Sequence, residues 1–264
     1  SNHVNLTSIC YLMKNHTKKV ESSKQSKSYL SEIYSTKRRP ITNYPLKLVK
    51  HLRKRYLNNE ETKDKHVLDI GCGRGDVVKA FKQIGYNVSG IDLSEEAINL
   101  CKPIEVRQID IEKDNDPNNF EKKFDIIFSK SLIEHLNQPM KFFEYCKKML
   151  KENGTLIVLT PSWVHHKFGP FYLDFTHVTP FTLHSLRDIG MLSGFKSSEV
   201  EYIYQLPLVW KYSIFKQVSK LLAFLKIPYL PMYEGLTNIK WPEEINKYLR
   251  HSNEVMLIGI YKLK

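Results

Sequence analysis

Apolar positions along the chain fall into two alternating patterns. Val67, Leu68 and Ile70 form a short run with β-branched members, and Asn87–Ile91, Glu105–Ile109, Phe124–Ser129 and Thr155–Thr160 repeat it. Such short apolar runs predict buried strands. Between them, apolar residues return at helical spacing: Val77, Val78, Phe81 and Ile84, then Met140, Phe143, Cys146, Met149 and Leu150. Ser94 reads as the N-cap of a further helix over Glu95–Leu100. Leu183, Leu186, Ile189, Met191 and Leu192 predict another helix ending at Gly194, and Ser197–Tyr204 and Glu254–Lys262 two more strands. Strands alternating with helices predict an α/β fold around a parallel sheet. Upstream, Leu46, Val49, Leu52, Tyr56 and Leu57 form a helical stripe flanked by Lys47, Lys50, Arg53 and Lys54.

The 264 residues suit one large domain carrying an insertion. We read residues 1–60 as a basic, partly helical N-terminal extension and 61–264 as the main domain. Residues 206–253 read as an insertion, in which Trp210, Ile214, Phe215, Val218, Leu221 and Phe224 interleave with lysines. Three readings of its 206–233 part stand open: a cap, a homodimer surface, or an interfacial amphipathic helix making peripheral membrane contact. Pro228, Pro231 and Pro242 predict irregular structure after its helix.

Charge sharpens the list of partners without settling it. A net charge of +12 suits an anionic acceptor, nucleic acid or an anionic membrane, yet a Lys-, Asn- and Ile-rich composition raises it with no partner at all. Cys10, Cys72, Cys101 and Cys146 share no short spacing, so neither a zinc motif nor a disulfide framework is expected. A reducing cytoplasm fits, with contact at an inner-membrane surface left open. No run reaches membrane-spanning length without charge, and no signal peptide is read.

Candidate chemistry starts where the first strand ends. Gly71, Gly73 and Gly75 alternate there, so the backbone can turn tightly and approach a ligand closely. The spacing is G-x-G-x-G, not the dinucleotide G-x-G-x-x-G, and Asp69 and Asp76 flank it. Two carboxylates suit a cationic ligand better than a pyrophosphate. Asp92 ends the second strand, 21 residues after Gly71, where an acid can accept from both hydroxyls of a ribose. Residues 161–181 form a long loop after the fifth strand, rich in aromatic and ionisable side chains including His165, His166, Asp174 and His177. No compact ligand spacing there supports a metal, and none is expected.

The stretch VLDIGCGRGD (67–76) resembles the first motif of class I S-adenosylmethionine-dependent methyltransferases. SLIEHL (131–136) and MLKENGTLIVLTP (149–161) resemble later parts of that family. DFTHVTPFTLHSL (174–186) resembles a stretch of methyltransferases encoded with surface-polysaccharide enzymes. The resemblance implies a Rossmann-like, seven-stranded sheet with helices on both faces and the last strand antiparallel between the fifth and sixth. It implies S-adenosylmethionine as cofactor, held by Asp69, Gly71, Cys72, Gly73 and Gly75 at the turn, Asp92 and Leu93 at the ribose, Asp110 and Ile111 at the adenine, and Ser129 at the end of the fourth strand. His135, Asp174 and Thr176 would shape the acceptor site. His177 is the first candidate for a general base, with His165 and His166 next, since a histidine titrates near neutral pH. A role for His177 as a helix cap stands beside that one.

The implied reaction is O-methylation of a small-molecule or glycan acceptor: a sugar or sugar-linked group, phosphate and phosphoramidate included, in capsule- or lipopolysaccharide-type biosynthesis. An RNA or tRNA methyltransferase is the first alternative. The charge favours it, but no Asn/Asp-Pro-Pro-Tyr motif or RNA-binding module is present, so nucleic acid is not expected. A non-catalytic S-adenosylmethionine-binding protein is the second.

Overall fold

The computed structural model describes residues 40–113, 116, 119–166, 170–225, 227, 229 and 240–263. The basic segment 1–39 with Cys10, most of 226–239 with Pro228 and Pro231, and residues 167–169 of the loop lie outside the described residues.

Each apolar run forms a strand and each helical stripe a helix. In chain order these are α1 (Tyr44–Tyr56), β1 (His66–Ile70), α2 (Asp76–Gln83), β2 (Asn87–Asp92), α3 (Glu95–Cys101), β3 (Glu105–Gln108), β4 (Phe124–Lys130), α4 (Pro139–Met149) and β5 (Leu150–Pro161). The short α5 (Trp163–His166) is followed by α6 (Leu183–Leu192), β6 (Ser197–Ile203), α7 (Pro207–Lys211), α8 (Ser213–Leu225), α9 (Lys240–Asn253) and β7 (Met256–Lys262). Single 3₁₀ turns lie at Ile133–His135 and Pro170–Leu173.

The strands form one seven-stranded sheet in the order β3-β2-β1-β4-β5-β7-β6. The pairs from β3 to β5 are parallel, and β7 runs antiparallel to both β5 and β6. The expected fold is therefore present. Its direction of winding reverses between β1 and β4, and open α/β sheets bind ligands outside the carboxyl ends of strands at such a point.

Strand periodicity divides the core between two faces. Ile126, Phe128, Ile157 and Leu159 point to one face, where Leu48, Val49, Leu52 and Phe81 from α1 and α2 cover them. Ile127, Leu156 and Val158 point to the other, against Phe142, Phe143 and Cys146 of α4 and Leu186 of α6. Because α1 packs into this core, residues 44–56 belong with the sheet rather than with a separate extension.

On the second face Tyr261 is fully buried and its hydroxyl donates to Leu186 O at 2.7 Å. Gly190 of α6 lets the ring pass, since a Cβ there would fall onto it. Tyr261→Phe keeps the packing and loses one buried hydrogen bond. Urea unfolding should report a loss of about 1 kcal/mol; a loss of several would mean that the hydroxyl supports more than this bond.

Some local expectations are corrected. Lys240–Asn253 is a helix despite Pro242, because a proline in the first turn removes only an N–H that has no helical partner anyway. The strand β5 begins at Leu150, since Phe124 pairs with Leu150 across a register shift. Met191 and Leu192, two of the apolar positions that predict α6, are exposed at its end.

The insertion adds a small core of its own: Tyr204, Leu206, Val209 and Val255, packed with Phe215 and Tyr248. Ser252 Oγ donates to Ser219 Oγ at 3.1 Å, tying α9 to α8. Trp210 of α7 stacks on His51 of α1 at 4.6 Å and donates from Nε1 to Tyr204 O. Among the described residues no helix is long and apolar enough to cross a membrane.

Candidate functional site

The turn after β1 is held in a left-handed backbone path. Gly71, Gly73 and Gly75 have φ of 78°, 50° and 78°, a region that costs a side-chain-bearing residue roughly 1–2 kcal/mol. The amides of Gly71 and Cys72 both donate to Ile91 O, at 2.8 and 3.1 Å, which locks the turn onto β2. The thiol of Cys72 is buried beside Gly90 and Cys101, and its main-chain oxygen accepts from the Gly75 amide at 2.8 Å. Arg74 pairs with Asp76 at 2.6 Å and offsets that carboxylate.

Asp92 organises the same end of the sheet. Its Oδ2 accepts from the Gly73 amide at 2.8 Å and its Oδ1 from the Ser94 amide at 2.9 Å. Burial raises its pKa and these amides oppose the rise. A carboxylate has about four lone-pair directions; the Leu93 amide is also directed at this one, and acceptor capacity remains for a hydroxyl donor. Beside it Leu93 is 50% exposed, an aliphatic surface fit for the face of a flat ring. Gln108 Nε2 donates to Leu93 O at 2.9 Å and steadies that position.

Three residues of the expected cofactor set make contacts within the protein. Asp69 is buried, its carboxyl accepts from the Val78 amide, and burial pushes its pKa well up. It therefore braces the turn against α2. Ser129 is fully buried and donates to Ile70 O at 2.9 Å, fastening β4 to the end of β1. Asp110 accepts from the Glu112 amide and pairs with exposed Lys113 at 2.6 Å, and its carboxylate keeps further acceptor directions. Ile111 is buried beneath it.

The acceptor side starts at the carboxyl end of β4. Ser131 has φ of 56° and donates from its amide to Leu159 O at 2.9 Å. Leu132 follows and lies over the glycine turn: a Cβ at Gly71 would sit 3.3 Å from its side-chain carbons. Next comes Glu134, which sequence reading did not single out. It is fully buried. Its Oε2 accepts from Thr160 Oγ1 at 2.8 Å, and its main-chain oxygen accepts from the amides of Val178 and Thr179. Its Oε1 is buried with no hydrogen-bond partner. Burial raises its pKa to about 7.

Two histidines complete the group. Thr176 Oγ1 donates to Asp174 Oδ1 at 2.5 Å and lies 2.8 Å from His135 Nδ1. The single hydroxyl proton is used on Asp174, so His135 Nδ1 carries the proton of the second bond. Asp174 and Thr176, expected to shape the acceptor, thus orient His135. Nδ1 of His177 lies 2.7 Å from Phe171 O, which fixes the same tautomer there. The rings of His135 and His177 meet edge to face, 4.6 Å apart. Burial, and then the neighbouring His177, bring the His135 pKa down to about 4.

Among the described residues, Glu134, His135 and His177 form a group able to hold a metal, their ligand atoms all within 4.8 Å of one another. Sequence spacing concealed it because the three come from two segments far apart in the chain. The other candidate bases sit elsewhere. His165 Nδ1 is 2.9 Å from Ser162 Oγ and its ring packs on Tyr202, while His166 Nδ1 is 2.9 Å from Ser162 O. Burial lowers the pKa of both, that of His166 to about 4. His251 of α9 is half-buried, and burial with nearby cations, Arg250 and Lys247 ahead of Lys130, takes its pKa to about 3.

The family described as "Methyltransferase domain" matches residues 41–200. The ubiquinone biosynthesis O-methyltransferase of Coxiella burnetii is 35% identical over 122 residues, covering 44% of this chain and 52% of that protein. This chain spans about half the length of the curated relatives it matches. A SAM-dependent methyltransferase from Archaeoglobus fulgidus superposes with a TM-score of 0.56 at 22% identity, covering 87% of this chain and 98% of that one. A Haemonchus contortus phosphoethanolamine N-methyltransferase, solved with phosphomonomethylethanolamine and S-adenosylhomocysteine, gives a TM-score of 0.53 at 19% identity over 82% of this chain and 52% of that one. With the matching family spanning most of the sheet, and with the glycine turn, Asp92 and Leu93 arranged at its switch point, the chain belongs to the methyltransferase-domain family and has the class I, S-adenosylmethionine-dependent fold.

Proposed function

We propose that this chain transfers a methyl group from S-adenosylmethionine to an oxygen of a small, anionic acceptor, a sugar or sugar-linked group being the favoured class. The observation that carries this reading is the contact of Leu132 with Gly71, which sets the Glu134–His135–His177 group directly beside the cofactor turn. When bound, S-adenosylmethionine supplies a methyl group already activated by the sulfonium charge. The glycine turn lets the amino-acid end of the cofactor approach the backbone closely, Asp92 accepts from the ribose hydroxyls, and Leu93 covers the adenine ring. A hydroxyl acceptor must also lose its proton, and the group around His177 is placed to deal with it. Helices α7–α9 serve as a cap on the acceptor side, in keeping with their packing into one small core beside β6 and β7. The O-methyltransferase name of the Coxiella relative supports oxygen as the target, and the net charge of +12 supports an anionic acceptor.

Two measurements test this reading. Calorimetry should show S-adenosylmethionine binding one per chain. Transfer of labelled methyl to a panel of nucleotide sugars, phosphosugars and phenols should then label a hydroxyl. Absence of cofactor binding, or label appearing only on nitrogen or on RNA, would reject the proposal.

A further inference from the structure

We propose that Glu134, His135 and His177 form a binding site for one divalent transition-metal ion, whose remaining positions take the hydroxyl oxygen of the acceptor. Two imidazoles and one carboxylate are a common protein donor set for zinc and neighbouring divalent metals, with open positions left for a ligand.

Three observations converge. The ligand atoms lie within 4.8 Å of one another; tetrahedral ligands at roughly 2.1 Å from an ion stand about 3.4 Å apart, so modest side-chain rotation closes the set. Glu134 Oε1 is fully buried without a hydrogen-bond partner. A buried acceptor left so costs on the order of 1–3 kcal/mol, and an ion removes that cost. The outer contacts are already built. His177 Nδ1 faces Phe171 O, and His135 Nδ1 faces Thr176, which is tied to Asp174. Metal-binding histidines donate their second N–H to a carbonyl or a carboxylate-linked partner in this way, which turns Nε2 to the ion.

The role of the ion rests on the methyl-transfer reading; its binding does not. With an ion in place His177 is a ligand. A hydroxyl held on the ion would be acidified, and its proton would leave to a water or buffer base as the acceptor enters, before the site closes, rather than to His177.

The test is a Co2+ titration of the full chain after chelator treatment, followed by visible d–d absorption, with S-adenosylmethionine calorimetry on the same samples. One equivalent of Co2+ should bind. Glu134→Gln, His135→Gln and His177→Gln should each weaken it at least tenfold while cofactor binding persists. Thr176→Val, which loosens only the support of His135, should weaken binding about tenfold and keep the spectrum. A chain that binds S-adenosylmethionine but shows no cobalt spectrum overturns the site, as does a spectrum unchanged in all three Gln variants. Cobalt binding without cofactor binding upholds the site and rejects the methyl-transfer reading instead.

Discussion

Asp92→Ala is expected to weaken S-adenosylmethionine binding by about a hundredfold or more, read by calorimetry. Each hydrogen bond to a charged group contributes roughly 1.5–3 kcal/mol, and two ribose hydroxyls would donate to this carboxylate. A further loss comes from the protein itself. Asp92 holds the Gly73 amide at 2.8 Å and the Ser94 amide at 2.9 Å. Without it the middle of the glycine turn loses its tie to the end of β2, and the cofactor must order that turn on binding. Asp92→Asn tests whether two acceptor oxygens are required. The amide side chain has one acceptor oxygen and one donor nitrogen, so it can hold only one of the two backbone amides and sets a donor against the other. It should therefore bind the cofactor almost as poorly as the alanine variant. Binding by Asp92→Asn at the wild-type level would remove the carboxylate from the cofactor site.

Legibility in the sequence tracks how local each feature is. The run Val67–Ile70, the glycines and Asp92 lie within one β-α-β unit, where strand length and helix length set the distances. Spacing alone therefore placed Asp92 beside the glycine turn, where its carboxylate meets the Gly73 amide. The roles of Asp69 and Ser129 were not legible, because whether a carboxyl or hydroxyl faces the crevice or a neighbouring strand depends on strand register. Ser129 faces Ile70 O only because β4 lies beside β1. The acceptor group was legible in part. His135 and His177 were noticed singly, but Glu134 read as one more acid in a polar turn. Its burial follows from Thr160 and from the backbone of Val178 and Thr179 closing around it, and no local pattern carries that information. The helix α9 was missed for a simpler reason: Pro242 was taken as a break, although it stands in the first turn, where proline is tolerated.

Gly75→Ala is expected to destabilise the chain by about 2–5 kcal/mol, combining a left-handed backbone cost of about 1–2 kcal/mol with overpacking of about 1–3 kcal/mol. Gly75 has φ of 78° and caps α2, donating to Cys72 O and accepting from the Lys79 amide. A Cβ there would lie 2.6 Å from Cys101 Sγ. Cys101 is fully buried and its thiol faces Gly73 O, so it cannot yield without moving the turn. The thermal midpoint should fall by roughly 4–20 °C for a chain of this size, and cofactor affinity should fall with it. A double-mutant cycle with Cys101→Ala resolves the two terms. Removing Sγ opens space for the new methyl and should restore the overpacking share. The backbone share persists, because no neighbouring substitution alters the φ that alanine must adopt. If the double variant regained full stability, the left-handed path would carry no cost at Gly75 and the turn would tolerate other residues there. If it regained none, the clash would be relieved already by local movement and the glycine would be required by backbone geometry alone. Partial recovery with cofactor affinity still reduced is the expected outcome, since the turn must keep its left-handed path to present the Gly73 amide to Asp92.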